Sequence, residues 1–263
     1  MRLGQHFLKN KKYLKEIVEA LELKDNDVII EIGAGHGELT NIIIEKLKDS
    51  KIKRFKLIAI EKDQSLVKSL QKNFACNKNI EIIEGDVLKI IPEINNLAIL
   101  QSCNYKYKLV GNIPYYITGY LFRILANLDR KPILIVLTIQ KEVAKRLCAK
   151  PPKMNILSAS VNFWANTEII DYIPKSAFQP QPKVDSAIIK LIPKSCILDP
   201  KSYYSFIKAL FKQPRKTILN NLREAKIIDL NNCREKLLKL NINPNSRPQD
   251  LAIEQIIKLS TLF

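Results

Sequence analysis

The run Asp27-Val28-Ile29-Ile30-Glu31-Ile32 passes directly into Gly33-Ala34-Gly35-His36-Gly37. This junction restricts the possible folds more than any other part of the chain. A near-continuous apolar run of this length reads as a strand buried on both faces. The glycines after it permit φ > 0 and close approach of the backbone to a ligand. Helical periodicity resumes over residues 38–48. The alternation then repeats. Residues 55–60 form a second strand ending at Glu61, with a helix over 64–74. Residues 80–83, 107–110 and 133–138 supply three more strands, with a helix expected over roughly 116–127. An amphipathic helix over 11–23 comes first, with Leu14, Ile17, Val18 and Leu21 at helical spacing. Buried strands alternating with helices specify an α/β, Rossmann-like fold with a doubly wound, mostly parallel sheet.

After about residue 165 the pattern changes. Thr167–Ile173 and Val184–Leu191 read as two further strands, close enough to pair antiparallel at the sheet edge. A proline-containing loop over 176–183 separates them. From Pro200 onward the sequence is helical and basic, with breaks expected near Pro214, Asn231-Asn232 and Pro244. The expected organisation is an α/β domain over 1–198 and a small all-helical domain over 199–263.

The strand ends carry the polar residues. The glycine spacing after the first strand is GxGxG, which differs from the GxGxxG of the dinucleotide fingerprint. Glu61, capping the second strand, suits two ribose hydroxyls, a pattern common to NAD and S-adenosylmethionine sites. Asp86, in Gly85-Asp86-Val87, can accept from an adenine amino group and favours the second cofactor. Each residue also has an ordinary explanation as a turn glycine, a helix N-cap or an exposed carboxylate. Glu31, Gly33, Gly35, Glu61, Asp86 and Asn112 nevertheless fall at successive strand ends, which line one crevice in a doubly wound sheet.

Asn112-Ile113-Pro114-Tyr115 follows the fourth strand. It is the arrangement with which methyltransferases hold an amino group on a planar base. Such a nitrogen is a poor nucleophile, because its lone pair is delocalised into the ring. Acceptors for its N–H bonds keep electron density on nitrogen as a methyl arrives. Asn112 offers a side-chain oxygen and Ile113 a carbonyl, with Pro114 fixing φ. Tyr115 can stack on the base. The plain alternative is a strand turning through Asn and Pro into a helix.

The 43 Lys and Arg residues exceed the 26 Asp and Glu residues, for a formal charge of +17. A lysine-rich composition bias accounts for part of this, and a bound polyanion for the remainder. The clusters are Lys9-Asn10-Lys11-Lys12, Lys51-Ile52-Lys53-Arg54, Lys145-Arg146 with Lys150, and Lys212, Arg215, Lys216 and Arg223 in the tail. Five scattered cysteines without a CxxC, and only two histidines, argue against disulfides, structural zinc and His-based catalysis. No metal site is expected. No apolar run is long enough to span a bilayer and the N-terminus lacks a signal-peptide core, so a cytoplasmic protein is expected.

With these motifs in place, the chain closely resembles the ribosomal RNA adenine dimethyltransferase family over nearly its whole length, the bacterial small-subunit branch most of all. Gly4-Gln5-His6-Phe7-Leu8 is similar to the family's N-terminal signature, which closes over the cofactor. The segments 31–35, 61–63, 85–86 and 112–115 resemble its first methyltransferase motif, ribose motif, adenine motif and catalytic motif. Residues 140–144, Phe178–Ser186 and Phe211–Thr217 resemble a further family segment, its target-side loop and the opening of its helical domain. The resemblance implies a class I methyltransferase that uses S-adenosyl-L-methionine and acts on 16S rRNA in the small (30S) ribosomal subunit during ribosome biogenesis, as a monomer. It carries over His6, Leu8, Gly33, Gly35, Glu61, Asp86 and Asn112 as cofactor contacts. Asn112, Pro114, Tyr115 and Phe178 carry over as the catalytic set, the two rings stacking on the base. Lys212, Arg215, Lys216 and Arg223 are the expected RNA contacts.

Some positions depart from the family pattern. The basic extension before the signature is short, residues 153–158 differ from the expected Tyr-Gly-x-Leu-Ser, and Pro214 replaces a more usual Arg. Other readings are a large-subunit 23S adenine dimethyltransferase and a non-catalytic RNA-binding assembly factor on the same fold. A nicotinamide-dependent oxidoreductase is the weakest.

Overall fold

The computed structural model describes residues 5–94, 106–194, 199–225 and 230–262. Gly4, Cys103 and Cys196 of the sequence reading lie outside the described residues. The chain forms two compact units, residues 1–144 with 168–193 and residues 145–167 with 194–263.

The first unit holds the sheet. Its strands are β1 (Phe7–Leu8), β2 (Asp27–Ile32), β3 (Phe55–Glu61), β4 (Ile80–Glu84), β5 (Lys108–Asn112) and β6 (Leu134–Gln140). They are followed by β7 (Ala165–Ile173), β8 (Phe178–Gln179) and β9 (Ser186–Pro193). Seven of them form one sheet in the order β4-β3-β2-β5-β6-β9-β7. The pairs β4–β3, β3–β2, β2–β5 and β5–β6 are parallel, and β9 runs antiparallel to β6. The chain winds outward from β2 through β4, then returns to place β5 on the other side of β2. The winding direction therefore reverses between β2 and β5, and a crevice opens at their carboxyl ends. The short strands β1 and β8, absent from the sequence reading, pair antiparallel as a separate two-stranded clasp.

Helices α1 (Lys11–Ala20), α2 (Glu38–Asp49), α3 (Gln64–Phe74), α4 (Val87–Glu93), α5 (Thr118–Asn127) and α6 (Lys141–Leu147) connect the strands. Local chemistry sets their starts. Asn10, Asp63 and Asp86 each accept backbone N–H groups at an N-cap. Ile29, Ile30 and Ile32 of β2 are fully buried, and Leu14, Ile17 and Val18 of α1 pack into one core cluster with Ile29. At the opposite edge of the sheet from the crevice, Lys108 Nζ donates to Asp27 Oδ2 at 2.7 Å and to the Glu22 carbonyl at 2.7 Å.

The second unit is helical, with α7 (Ile156–Asn162), α8 (Pro200–Leu210), α9 (Ile218–Glu224), α10 (Leu230–Lys239) and α11 (Ile253–Ser260). Residues 145–167 belong to it, so the boundary expected at 198/199 is displaced. Packing is the reason. The Phe163 ring stacks on Tyr203 with centroids 3.9 Å apart, and the Tyr203 hydroxyl donates to the Ala159 carbonyl at 3.0 Å. The Met154 N–H reaches the Gln249 carbonyl at 3.1 Å. Such long-range pairings leave no mark in local periodicity. The break expected at Asn231-Asn232 is also displaced: both residues sit in the first turn of α10, where backbone N–H groups lack helical partners in any case. Among the described residues no helix is long and apolar enough to cross a membrane, and no acidic, His or Cys cluster of metal-binding size occurs.

Candidate active site

The carboxyl ends of β2, β3, β4 and β5 meet at one cavity of the first unit. His6, Gly33, Gly35, Glu61, Asp86, Asn112, Pro114, Tyr115 and Phe178, all selected from the sequence, line it. The glycine loop after β2 is tied to β3. Gly33 N–H donates to the Ile60 carbonyl at 2.8 Å, and Gly35 N–H to Glu61 Oε2 at 2.9 Å. Gly35 has φ +60°, and a Cβ there would lie 2.9 Å from the Phe7 ring. The loop therefore needs glycine for its conformation and for the ring packed against it. A Cβ on Gly111 would come within 2.5 Å of the Ile32 carbonyl, which makes the contact between β2 and β5 equally exacting.

Glu61 is almost fully buried. Its carboxylate accepts N–H groups from Gly35, Lys62 and Asp63, at 2.9, 2.8 and 2.9 Å. Three of roughly four acceptor sites are thus used in holding the loop, which leaves about one for a ligand. Asp86 is both N-cap and cavity wall. Its Oδ1 accepts Leu88 N–H at 3.0 Å, and its Oδ2 accepts Lys62 Nζ at 2.9 Å. Lys62 holds the Asp86 carboxyl below the usual carboxylate range. Asp86 thus caps α4 and lines the cavity at once.

Asn112 is oriented by the N-terminal segment. Its Nδ2 donates to the His6 carbonyl at 2.8 Å. Among the described residues no donor is bonded to its Oδ1 or to the Ile113 carbonyl, so two acceptors are left for a ligand. The Tyr115 hydroxyl is 2.7 Å from Ser186 Oγ, which fixes the ring, and burial pushes its pKa up. The His6 and Tyr115 rings stack with centroids 6.0 Å apart, and His6 Nδ1 lies 2.8 Å from the Pro180 carbonyl. The clasp joins Phe7 to Gln179 and Leu8 to Phe178, which ties the N-terminal segment to the loop before β9.

Behind the glycine loop, Glu31 is 1% exposed and accepts Thr40 Oγ1 at 2.6 Å. Desolvation pushes its carboxyl up to about 8, and Glu38 and Glu61 add to the rise. The side chain of Leu8 does not line the main cavity. It packs in the core and borders a smaller cavity with Glu31, Glu38 and Asn112, because alternate strand residues point to opposite faces. Lys62 and Tyr116 line the main cavity and were missed, although each directly follows a residue singled out from the sequence.

The tail cations lie in the second unit. Lys212 and Arg215 are exposed on the loop between α8 and α9, and Arg223 is exposed in the last turn of α9. Lys216 is half-buried and paired with Glu224. Buried Asn221 braces the loop: its Nδ2 donates to Gln213, Lys216 and Thr217 carbonyls at 3.0, 3.3 and 3.2 Å, and its Oδ1 accepts Gln213 N–H at 2.9 Å. Asn221 carried no sequence signal beyond sitting in a helix. Elsewhere, Lys9 pairs with Glu38, Lys12 with Glu16 and Arg54 with Asp25, so these basic clusters are partly neutralised within the chain.

Comparison with known proteins decides the family. The family model described as "Ribosomal RNA adenine dimethylase" matches residues 1–263. The chain belongs to the ribosomal RNA adenine dimethylase family. It is a class I methyltransferase fold, and S-adenosyl-L-methionine is the methyl donor. The chain is 38% identical to the ribosomal RNA small subunit methyltransferase A of Nostoc sp., covering 99% of this chain and 96% of that protein. It is 37% identical to the protein of the same name from Dehalococcoides mccartyi, covering 96% and 84%. The crystal structure of a dimethyladenosine transferase from Plasmodium falciparum superposes with a TM-score of 0.77 at 27% identity, covering 97% and 96%. The 23S rRNA methyltransferase ErmE gives a TM-score of 0.76 at 22% identity, covering 97% and 98%, and shares the fold. The cavity fits the family's cofactor: it combines a glycine loop open to close approach, two carboxylates at adjacent strand ends and a pair of free acceptors.

Proposed function

We propose that this dimethylase acts on the small ribosomal subunit, converting the 6-amino groups of two adjacent adenosines in the 3′-terminal hairpin loop of 16S rRNA, in the cytoplasm. The observation that carries the reading is the orientation of Asn112. One N–H of its amide is committed to the His6 carbonyl, and no donor among the described residues occupies its oxygen, which is free to accept from a ligand. Full-length similarity to proteins named ribosomal RNA small subunit methyltransferase A supports the choice of subunit.

The cofactor, when bound, supplies an electrophilic methyl group on a sulfonium. Glu61 and Asp86 would hold its ribose and adenine, with Gly33, Gly35, His6 and the Leu8 backbone around it. The protein's own contribution is alignment and acceptor placement. The target base leaves its stack to enter the cavity. Asn112 Oδ1 and the Ile113 carbonyl accept the two amino N–H bonds. This keeps the nitrogen lone pair directed out of the hydrogen-bond plane and stabilises the positive charge that develops there. Tyr115 and Phe178 take the base between them. The Tyr115 ring is anchored through Ser186, and Phe178 is held by burial and by the clasp. No strong base is required, because the nitrogen becomes acidic only after the methyl has added, and its proton then passes to water. Lys212, Arg215, Lys216 and Arg223 contribute to a footprint on structured RNA that is read through phosphate positions.

The test is methylation of unmodified small subunits with labelled S-adenosylmethionine, followed by mapping of the nucleotides. Label on two neighbouring adenosines of the 3′-terminal hairpin is expected. Label on isolated 23S rRNA alone would favour the large-subunit reading, and absence of label with retained subunit binding would favour an assembly factor.

A further inference from the structure

The outer face of α5 carries side chains that a solvent-facing helix does not ordinarily show. Its inner face is fully committed to the core: Leu121, Phe122, Leu125 and Ala126 are buried, as are Ile117 and Thr118 at its start. The outer face presents Gly119, Tyr120 and Arg123, and Tyr116 is exposed on the short 3-10 turn, Tyr115–Ile117, that leads into the helix. Tyr116 and Tyr120 are each 63% exposed, the highest values among the exposed large hydrophobic side chains of the described residues. Four residues apart, they sit on the entry turn and on the first turn of the helix. The Arg123 guanidinium lies over the Tyr120 ring, 5.5 Å from its centroid. A Cβ on Gly119 would meet nothing within 4 Å, so the surface beside the two rings is open. Tyr116 also lines the catalytic cavity. The stripe therefore begins at the cavity and runs outward along the helix.

We propose that Tyr116, Tyr120 and Arg123 form a stacking track for the unpaired ribonucleotides next to the target adenosine. The inference rests on the proposed function and extends it, by assigning the route of the RNA strand outside the cavity. Taking one base out of a loop deprives its neighbours of their stacking partner. Aromatic rings replace that partner without reading sequence, because every base has a π-face. Arginine adds a planar cation that stacks on bases and pairs with phosphate. Continuity with the cavity and the cation at the far end favour a nucleic-acid strand over an apolar protein surface.

Tyr120 lies outside the cavity lining, and its exposure makes its replacement neutral for folding. In single-turnover methylation of unmodified small subunits, Tyr120→Ala should raise the half-saturating subunit concentration about tenfold, equivalent to about 1.4 kcal/mol. Tyr120→Phe should restore it, and S-adenosylhomocysteine affinity should be the same in all three proteins. Placing the photo-crosslinker p-benzoylphenylalanine at position 120 should give adducts within a few nucleotides of the methylated adenosines. Wild-type saturation by Tyr120→Ala, or adducts confined to a ribosomal protein or a distant RNA helix, would overturn the track. If the wild-type enzyme methylates no small-subunit adenosine, the functional reading fails first and the track falls with it.

Discussion

At the amino edge of the sheet, Lys108 faces Asp27 at 2.7 Å, and both side chains are nearly buried. The Glu22 carbonyl takes a second Lys108 proton, and Lys24 N–H gives Asp27 another bond. At the carboxyl edge, Glu61, Asp86 and Asn112 are of similar chemical kind, but they line a cavity, and among the described residues Asn112 Oδ1 has no donor and Glu61 has about one acceptor site to spare. At the first edge the two charges are matched to each other away from the cavity, so the pair stabilises the sheet. The second holds its polar groups in place through part of their bonding capacity and offers the remainder to a ligand. Residue type alone does not separate a structural carboxylate from one placed to meet a ligand; position against the cavity does, since Glu61 and Asp86 line it and Asp27 does not.

The comparison is most exposed to failure at Lys108. Lys108→Met leaves Asp27 buried with its charge unmatched and should cost about 3–5 kcal/mol in urea unfolding, while cofactor affinity per folded molecule stays at the wild-type level. A drop in affinity alone would mean that the amino edge also serves the site. Next in size, Asn112→Ala should slow single-turnover methyl transfer about 100-fold or more, as loss of one charge-stabilising partner does elsewhere, with little change in unfolding. An intact rate would show that the free oxygen is incidental.

Glu61 tests the middle ground, since it both braces and binds. Glu61→Gln should weaken S-adenosylmethionine by about 1.5–3 kcal/mol in calorimetry, the range for hydrogen bonds to a charged group. Because the same carboxylate holds Gly35, the loop amides should also exchange faster; a change in affinity without faster exchange would separate the two roles.

Glu31 gives a pH-dependent test. Its carboxyl is raised to about 8 from an ordinary 4.5, so the native state keeps its proton longer than the unfolded chain does. The associated stability is intact below pH 4.5 and is lost as pH climbs towards 8. Glu31→Gln cannot ionise, and its unfolding midpoint should be flatter than wild type across that window and higher at its alkaline end. Parallel curves for the two proteins would remove the assignment. The smallest effect is expected on the tail. Arg215→Ala should weaken subunit binding by less than about 1 kcal/mol and lower the salt slope by about one. Lys216→Ala should do less, because Glu224 already neutralises it. An equal or larger effect at Lys216 would show that its ion pair breaks on binding.

Strands β2, β3, β5 and β6 were legible because they are largely buried on both faces and read as near-continuous apolar runs, whereas the edge strand β4 is only partly buried. The site was legible for a related reason. A doubly wound sheet brings strand ends together, so residues far apart in sequence are collected by topology. What escaped detection depends on partners rather than on period. Strands β1 and β8 are two residues each and have no periodicity to read. Residues 145–167 were assigned to the wrong unit because the Phe163–Tyr203 stack spans forty positions. Leu8, expected as a cofactor contact, turns its side chain to the core, because a motif names positions and says nothing of which face a strand turns inward. Lys62 was passed over because its ion pair with Asp86 joins two different strand ends.

The clasp has a consequence for how the molecule opens. Two residues per strand, with flanking bonds from Lys9 N–H to the Ala177 carbonyl at 3.0 Å and between His6 and Pro180, make a short and local hydrogen-bonded unit. The seven-stranded sheet can exchange its central amides only when the whole unit unfolds, whereas so small a pairing separates by itself. In deuterium exchange, Phe7 and Gln179, the hydrogen-bonded pair of the clasp, should therefore label at rates insensitive to low urea, long before Ile30 or Val110. The segment that orients Asn112 is thus expected to open before the sheet does, and on the proposed mechanism its oxygen is aimed only while the clasp is shut.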